Sequence, residues 1–288
     1  MKDFGLLWPC LVLLLALPGV AAAQEDHLVE DAARHKLQIK ADKTLPTLYF
    51  VGDSTMKVGT LGQRGWGEDM APFFNLRKFN VVNEAIGGRS SRTFQTEGRW
   101  DAVLALLQKG DYVILQFGHN DGGAINDDFR ARASIKGGGE EMQEIDNILT
   151  KKHETVHTYG WYMRKYARDV RAKGATPIIL SLVPRNSFKD GKVARASDSY
   201  GKWAREAAEA TKTAFIDHNE IIAQGLEKLG QGNAAPLFAD GRLHASPAGA
   251  AFNARCTVAG LKSLPGKPFE PYFSAAASDI LPFMPAVK

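Results

Sequence analysis

Apolar and polar positions along the chain fall into short β-branched runs that alternate with longer amphipathic segments. The short runs predict five strands, at Thr47–Val51, Asn80–Asn83, Tyr112–Phe117, Pro177–Val183 and Ala214–Asp217. The amphipathic segments predict helices over Trp66–Phe74, Arg99–Gln108, Tyr159–Lys173, Ser199–Lys212 and Pro247–Leu261. Strands that alternate with helices form right-handed βαβ units around a parallel sheet. We therefore expect an α/β fold, a three-layer α/β/α sandwich whose central parallel sheet has about five strands.

Two of these strands, VILQF at 113–117 and IILSLV at 178–183, are apolar almost throughout, which indicates burial on both faces. One segment breaks the alternation. Residues 118–157 show little periodicity, contain three consecutive glycines at 137–139 and end in HETVH at 153–157. Loops of this length are uncommon in compact domains and often cover a functional site.

The first 23 residues have the pattern of a secretory signal peptide. Lys2 precedes an apolar run from Gly5 to Val20, which is short for a transmembrane helix, and Ala21–Ala23 offers small residues for cleavage after Ala23. We expect residues 1–23 to be removed and residues 24–288 to form a single domain. The mature protein would then be secreted or periplasmic, with no membrane span.

The overall composition is that of an ordinary globular protein, with 44% hydrophobic and 24% charged residues. The net charge of +4 is small and its basic residues are dispersed, so nucleic acid is not an expected partner. An acidic polysaccharide is compatible with that charge. Of the two cysteines, Cys10 lies in the predicted signal, so Cys256 has no intramolecular disulfide partner in the mature chain.

Candidate chemistry follows the first three predicted strands. GDST at 52–55, AIGGRS at 85–90 and GHND at 118–121 each combine glycine with small polar side chains. In an open parallel sheet, ligands bind beyond the carboxyl ends of the strands. A hydroxyl nucleophile, backbone N–H groups and a neutral amide donor are the groups that acyl transfer requires.

A serine needs a nearby base, and the best candidate is His244, which stands just before the last predicted helix. Asp240 precedes it and could orient its ring. The chain order Ser, Asp, His is the one found in α/β-hydrolases.

These blocks resemble the SGNH (GDSL) hydrolase superfamily, through Gly52-Asp53-Ser54, Gly88, Asn120 and His244. Within it, GDST, GGRSSRTF, FGHNDGG and TYGWYMRKYARDVRAKGATPI are similar to the rhamnogalacturonan acetylesterases. The resemblance implies a flavodoxin-like fold and a secreted serine esterase that deacetylates pectin without a metal or organic cofactor. We expect the protein to be a monomer.

The resemblance also implies a role for each matching residue. Ser54 would be the nucleophile, His244 the general base and Asp240 the acid of the triad. The oxyanion hole would combine the backbone N–H groups of Ser54 and Gly88 with the Asn120 side chain.

The spacing of the acid departs from the family pattern, which has two residues between acid and histidine. This chain has three residues between Asp240 and His244. Gly241 could absorb the extra residue in a turn, because glycine tolerates a positive φ. Otherwise a backbone carbonyl or another acid, such as Asp217, would orient the histidine.

Substrate contacts are harder to predict. Arg89 and Arg92 could bind a uronate carboxylate. We expect His153 or His157 to border the cleft and to affect substrate affinity more than the chemical step. Acetyl xylan and short-chain acyl lipids are alternative substrates for the same machinery. A non-catalytic carbohydrate-binding module is a further alternative.

HETVH also matches the H-E-x-x-H motif of zinc peptidases, which requires two histidines one turn apart on a helix and a third ligand. In the extended motif the third histidine would fall at Met163, although Glu206 is formally available. We interpret HETVH instead as the exit of the long loop, followed by a helix that Thr158 caps.

Overall fold

The computed structural model describes residues 42–284, so the predicted signal peptide lies outside the described residues. Five parallel strands form the central sheet: Thr47–Gly52 (β1), Asn80–Asn83 (β2), Tyr112–Gln116 (β3), Thr176–Leu180 (β6) and Ala214–Ile216 (β9). Their order across the sheet is β2-β1-β3-β6-β9. The predicted α/β fold with a five-stranded parallel sheet is confirmed.

Helices cover both faces of the sheet. Their bounds are Thr93–Thr96 (α1), Arg99–Leu106 (α2), Tyr159–Ala172 (α3), Tyr200–Ala210 (α4), His218–Leu229 (α5), Gln231–Ala234 (α6) and Pro247–Lys262 (α7). Alternate residues of β1 point to opposite layers. Leu48 and Phe50 pack with α5 and α7, whereas Tyr49 and Val51 pack with α2 and α3. The three-layer sandwich thus has two apolar cores, one on each face of the sheet.

One predicted helix was wrong, and another helix was not predicted. The segment Trp66–Phe74 forms two short 3₁₀ turns, Trp66–Asp69 and Ala71–Phe73, with Pro72 inside the second. Helix α5 is the helix that the sequence pattern does not predict, and Asp217, the last residue of the predicted fifth strand, is its N-cap. The Asp217 carboxylate accepts a hydrogen bond from the Glu220 amide at 3.2 Å and so begins the helix there.

The long segment after β3 contains an antiparallel hairpin that periodicity did not reveal. Its strands are Met142–Asp146 (β4) and His153–His157 (β5), with Ile145 opposite Glu154. HETVH is therefore a β-strand rather than an irregular loop exit. The prediction that Thr158 caps the next helix is confirmed, since its hydroxyl accepts the Trp161 amide at 3.1 Å. A second, short hairpin pairs Phe188–Lys189 (β7) with Lys192–Val193 (β8).

The sheet order fixes where a ligand would bind. The chain runs from β1 to β2 on one side and then crosses over β1 to reach β3 on the other side. The carboxyl ends of β1 and β3 therefore form the switch point at which open α/β sheets bind ligands. No helix within residues 42–284 is long and apolar enough to cross a membrane.

Candidate active site

Three side chains from the two ends of the chain meet at the carboxyl edge of the sheet. Ser54 follows β1, and its Oγ lies 3.0 Å from His244 Nε2. His244 Nδ1 lies 2.7 Å from Asp240 Oδ2. The arrangement has the geometry of a nucleophile, a base and an acid that orients the base.

The turn from Asp240 to His244 accommodates the extra residue. Gly241 adopts φ +69°, a left-handed conformation that glycine allows without steric cost. The chain then folds back, so that Asp240 Oδ1 accepts the amides of Arg242, Leu243 and His244 at 2.9, 2.7 and 3.1 Å. Burial alone would raise the pKa of Asp240, but the amides of Leu243 and Arg242 and the His244 ring outweigh it and lower the pKa to about 2.

Asp217, the alternative acid, is engaged elsewhere. Its carboxylate accepts the Ser181 hydroxyl at 2.8 Å and pairs with Arg205 at 2.5 Å, in addition to capping α5. Asp240 is therefore the acid that contacts His244.

The nucleophile turn is held by its neighbours. Asp53 is fully buried, and its Oδ1 accepts the Thr55 amide at 2.9 Å and the Thr55 hydroxyl at 2.8 Å. The Asp53 carbonyl accepts the Met56 amide at 3.1 Å. Burial raises the pKa of Asp53. Asp53 thus shapes the turn that presents Ser54.

Hydrogen-bond donors suited to an oxyanion follow β1, β2 and β3. Within residues 42–284, the backbone N–H groups of Ser54 and Gly88 donate to no protein acceptor. Gly88 has φ +78°. The Asn120 side chain is 7% exposed and donates one N–H to the Arg89 carbonyl at 2.9 Å, which leaves its second N–H available.

A chain of buried polar groups links the nucleophile turn to the helix that follows His244. Trp66, whose amide bonds the Thr55 carbonyl at 3.0 Å, donates its ring N–H to Gln116 Oε1 at 3.1 Å. Gln116 Nε2 lies 2.8 Å from His218 Nδ1, and His218 Nε2 lies 2.9 Å from the Thr257 hydroxyl in α7. Burial lowers the pKa of His218 to about 3, so this histidine is neutral.

The two predicted uronate-binding arginines already have protein partners. Arg89 contacts Glu97 at 3.0 Å and the Gly87 carbonyl at 2.9 Å. Arg92 has a fully buried side chain and binds both carboxylate oxygens of Glu154. The glutamate of HETVH is thus an ion-pair partner of the loop after β2.

The histidines of HETVH are too far apart to share a metal ion. In an extended strand, residues four positions apart are separated by about 13 Å. His153 bonds Asp146 at 2.8 Å, whereas His157 stacks on Trp161 with ring centroids 3.7 Å apart. His157 lines a groove of about 300 Å³ with Trp161 and Lys165, and neither Ser54 nor His244 contributes to that groove.

Sequence reasoning missed Arg132, whose Nη1 donates to the Gly88 carbonyl at 2.8 Å. It lies in the aperiodic segment after β3, where no pattern distinguishes one arginine from the next. Its proximity to Gly88 depends on how that segment folds back, which only the tertiary structure reveals.

Comparison with known proteins identifies the family. A model of the GDSL-like lipase/acylhydrolase family matches residues 50–252. The rhamnogalacturonan acetylesterase of Emericella nidulans is 34% identical over 203 residues, which are 70% of this chain and 79% of that protein. The probable rhamnogalacturonan acetylesterase YesY of Bacillus subtilis is 28% identical over 172 residues, 59% of this chain and 69% of that protein.

A solved structure shares the fold. The crystal structure of Bacillus subtilis YxiM, named as an uncharacterized esterase, superposes with a TM-score of 0.60 at 27% identity. The match covers 76% of this chain but only 56% of the YxiM chain. With the family model matching most of the described residues, the chain belongs to the GDSL-like lipase/acylhydrolase family and is a carboxylic ester hydrolase.

Proposed function

We propose that this protein is an exported acetylesterase that removes O-acetyl groups from acetylated rhamnogalacturonan in pectin. The observation that carries the esterase mechanism is the contact of Ser54 Oγ with His244 Nε2 at 3.0 Å, with Asp240 behind the histidine. The substrate is proposed because two relatives bear the name of rhamnogalacturonan acetylesterase or probable rhamnogalacturonan acetylesterase. Export is proposed from the signal-like residues 1–23.

The first half of the reaction transfers the acetyl group to the enzyme. Ser54 Oγ attacks the acetyl carbonyl carbon, and its proton passes to His244 Nε2. The carbonyl oxygen becomes an oxyanion, which the N–H groups of Ser54 and Gly88 and the Asn120 amide would stabilise. The bond to the sugar oxygen then breaks, and that oxygen takes the proton from His244.

The second half releases acetate. His244 removes a proton from water, and the resulting hydroxide attacks the acetyl-enzyme carbonyl. Ser54 Oγ leaves and recovers the proton from His244. Asp240 holds the ring with Nδ1–H toward its carboxylate, which keeps Nε2 free to accept a proton in both halves.

Positive charge near the site supports an acidic polymer as substrate. Asn186 donates its amide to the Arg242 carbonyl at 2.8 Å, which ties the segment carrying Arg185 to the turn that carries Asp240. In the described part of the chain, neither Arg185 nor Arg242 forms an ion pair. Burial, and then the charge of Arg242, lower the pKa of Arg185, and a bound carboxylate would offset both effects because an opposite charge favours the charged guanidinium.

Acetate release from acetylated rhamnogalacturonan and from acetylated xylan, measured side by side, tests the substrate. We expect faster release from rhamnogalacturonan. A preference for xylan, or for long-chain p-nitrophenyl esters, would refute the pectin substrate while leaving the esterase intact.

Labelling by a fluorophosphonate tests the chemistry separately. We expect the wild-type enzyme to be labelled and Ser54→Ala to show neither labelling nor acetate release. Undiminished turnover by Ser54→Ala would refute the acetyl-enzyme mechanism, and an unlabelled, inactive wild type would favour a non-catalytic carbohydrate-binding module.

A further inference from the structure

Three consecutive carbonyl groups beside the proposed oxyanion hole are each held by a side chain. The Gly87 carbonyl accepts Arg89 Nη1 at 2.9 Å, and the Gly88 carbonyl accepts Arg132 Nη1 at 2.8 Å. The Arg89 carbonyl accepts Asn120 Nδ2 at 2.9 Å. The peptide groups on both sides of Gly88 are therefore fixed by hydrogen bonds.

Such restraint matters because Gly88 is free to move on its own. A glycine at φ +78° lacks the Cβ that would limit its backbone, so its peptide groups can rotate to other conformations at little cost. Rotation would turn the Gly88 N–H away from the carbonyl oxygen of the substrate. A donor in an oxyanion hole is effective only when its direction is fixed before the reaction.

Arg132 is itself held in place by the loop that it supports. The Ser90 hydroxyl donates to the Arg132 carbonyl at 2.6 Å, and Arg92 Nη1 donates to the Ala133 carbonyl at 2.8 Å. Arg92 is in turn fixed by its ion pair with Glu154. The long segment after β3 is thus bonded along its length to the loop after β2.

A buried carboxylate adds a second link between the same two segments. Asp121 accepts the Ser91 hydroxyl at 2.5 Å and the Ser134 hydroxyl at 3.0 Å, one from each segment. Burial lowers the pKa of Arg132 to about 10, so its guanidinium is still charged at neutral pH. A charged donor forms a stronger hydrogen bond to a carbonyl than a neutral one.

We propose that Arg132 is a positioning residue of the oxyanion hole. Its bond to the Gly88 carbonyl anchors the peptide group that follows Gly88, while the bond of Arg89 to the Gly87 carbonyl anchors the peptide group that carries the Gly88 N–H. With both sides of Gly88 held, its N–H keeps its direction toward the substrate carbonyl. The proposal rests on the acetyl-enzyme chemistry of the proposed function. The long segment after β3 would then support the chemical step and would not serve only as a cover for the substrate.

The test compares Arg132→Met with Arg130→Met on p-nitrophenyl acetate. Methionine keeps much of the arginine stem and removes the donor, and Arg130 is an exposed neighbour without a bond to Gly88. Loss of one oxyanion donor lowers kcat by about 10²–10³, so loss of a residue that only orients the donor is expected to lower kcat by about 10- to 100-fold. We expect KM to stay within about threefold, Arg130→Met to match the wild type, and Arg132→Lys to recover part of kcat.

A boronic acid inhibitor provides a second readout, because its adduct with Ser54 places an oxygen in the oxyanion hole. We expect Arg132→Met to weaken its inhibition by a factor similar to the fall in kcat. Thermal unfolding of each variant establishes that the folded enzyme is assayed, and if Arg132→Met does not fold, Arg132→Lys is decisive.

The proposal would be overturned if Arg132→Met had a raised KM with a wild-type kcat, or if its inhibition by the boronic acid were unchanged. If Arg132→Met is unfolded, a wild-type kcat in Arg132→Lys would overturn it. Activity retained by Ser54→Ala would instead overturn the proposed function.

Discussion

Replacing Asp240 by asparagine should reverse the hydrogen-bonding pattern of the His244 ring. Asp240 Oδ1 accepts three backbone amides, so the side-chain oxygen of the introduced asparagine must occupy that position. The NH₂ group then faces His244 Nδ1, at the position where Oδ2 lies 2.7 Å away. A donor at that position requires Nδ1 to be the acceptor, which puts the ring proton on Nε2 and blocks proton transfer from Ser54.

The expected loss is large. Replacing the acid of a Ser-His-Asp triad by its amide lowers kcat by about 10⁴, equivalent to about 5.5 kcal/mol of transition-state stabilisation. Stability should fall by only about 1 kcal/mol, because the three bonds to the turn survive. Steady-state hydrolysis of p-nitrophenyl acetate, with urea unfolding in parallel, measures both quantities.

Asp217→Asn is the matched control. Asp217 caps a helix and pairs with Arg205, so the variant should keep wild-type kcat within about threefold, since an asparagine also caps helices well. If Asp240→Asn retained kcat within tenfold of the wild type, or if Asp217→Asn lost as much, Asp240 would not be the acid that sets the tautomer of His244.

Two further predictions concern the surrounding residues. His157→Ala should raise KM for the acetylated polysaccharide about 2- to 10-fold, the worth of one aromatic contact, and leave p-nitrophenyl acetate hydrolysis unchanged; equal losses on both substrates would contradict a role in polymer binding. Burial raises the pKa of Asp121 to about 6, so the folded state holds this proton more tightly than the unfolded chain. The resulting stability is present below pH ~4 and lost as the pH rises through about 6, a fall of up to about 3 kcal/mol in the free energy of unfolding. Urea titrations from pH 4 to 7 should show a smaller fall in the free energy of unfolding for Asp121→Asn than for the wild type. Parallel curves for the two proteins would refute the raised pKa of Asp121 as the cause.

The sheet was predictable because its central strands are buried on both faces and several of its helices are amphipathic, as in β3 and α3. The nucleophile and histidine segments were predictable because short motifs adjoin those elements. Two kinds of feature were not. Each strand of the β4–β5 hairpin has only one buried residue, so burial left no alternating pattern in its sequence. Arg132 reaches Gly88 through tertiary folding of that segment, and the pairing of Arg92 with Glu154 is likewise long-range.

The Asp240 turn shows a different limit. The three residues between Asp240 and His244 suggested that the acid was out of register with the histidine. The number of intervening residues, however, does not give the distance between two side chains. A left-handed Gly241 shortens that distance, and the contact is formed with three residues in between.

The buried chain through Trp66, Gln116, His218 and Thr257 has a mechanical consequence. Ser54 and His244 are 190 residues apart in sequence, yet this chain joins the supports of both, from the nucleophile turn to α7. A hinge motion that separated the two halves of the site would have to break hydrogen bonds between buried side chains, where an unpaired polar group is costly. The distance between nucleophile and base is thus set by the rigidity of the core, and motions of the surrounding loops can admit substrate without changing it.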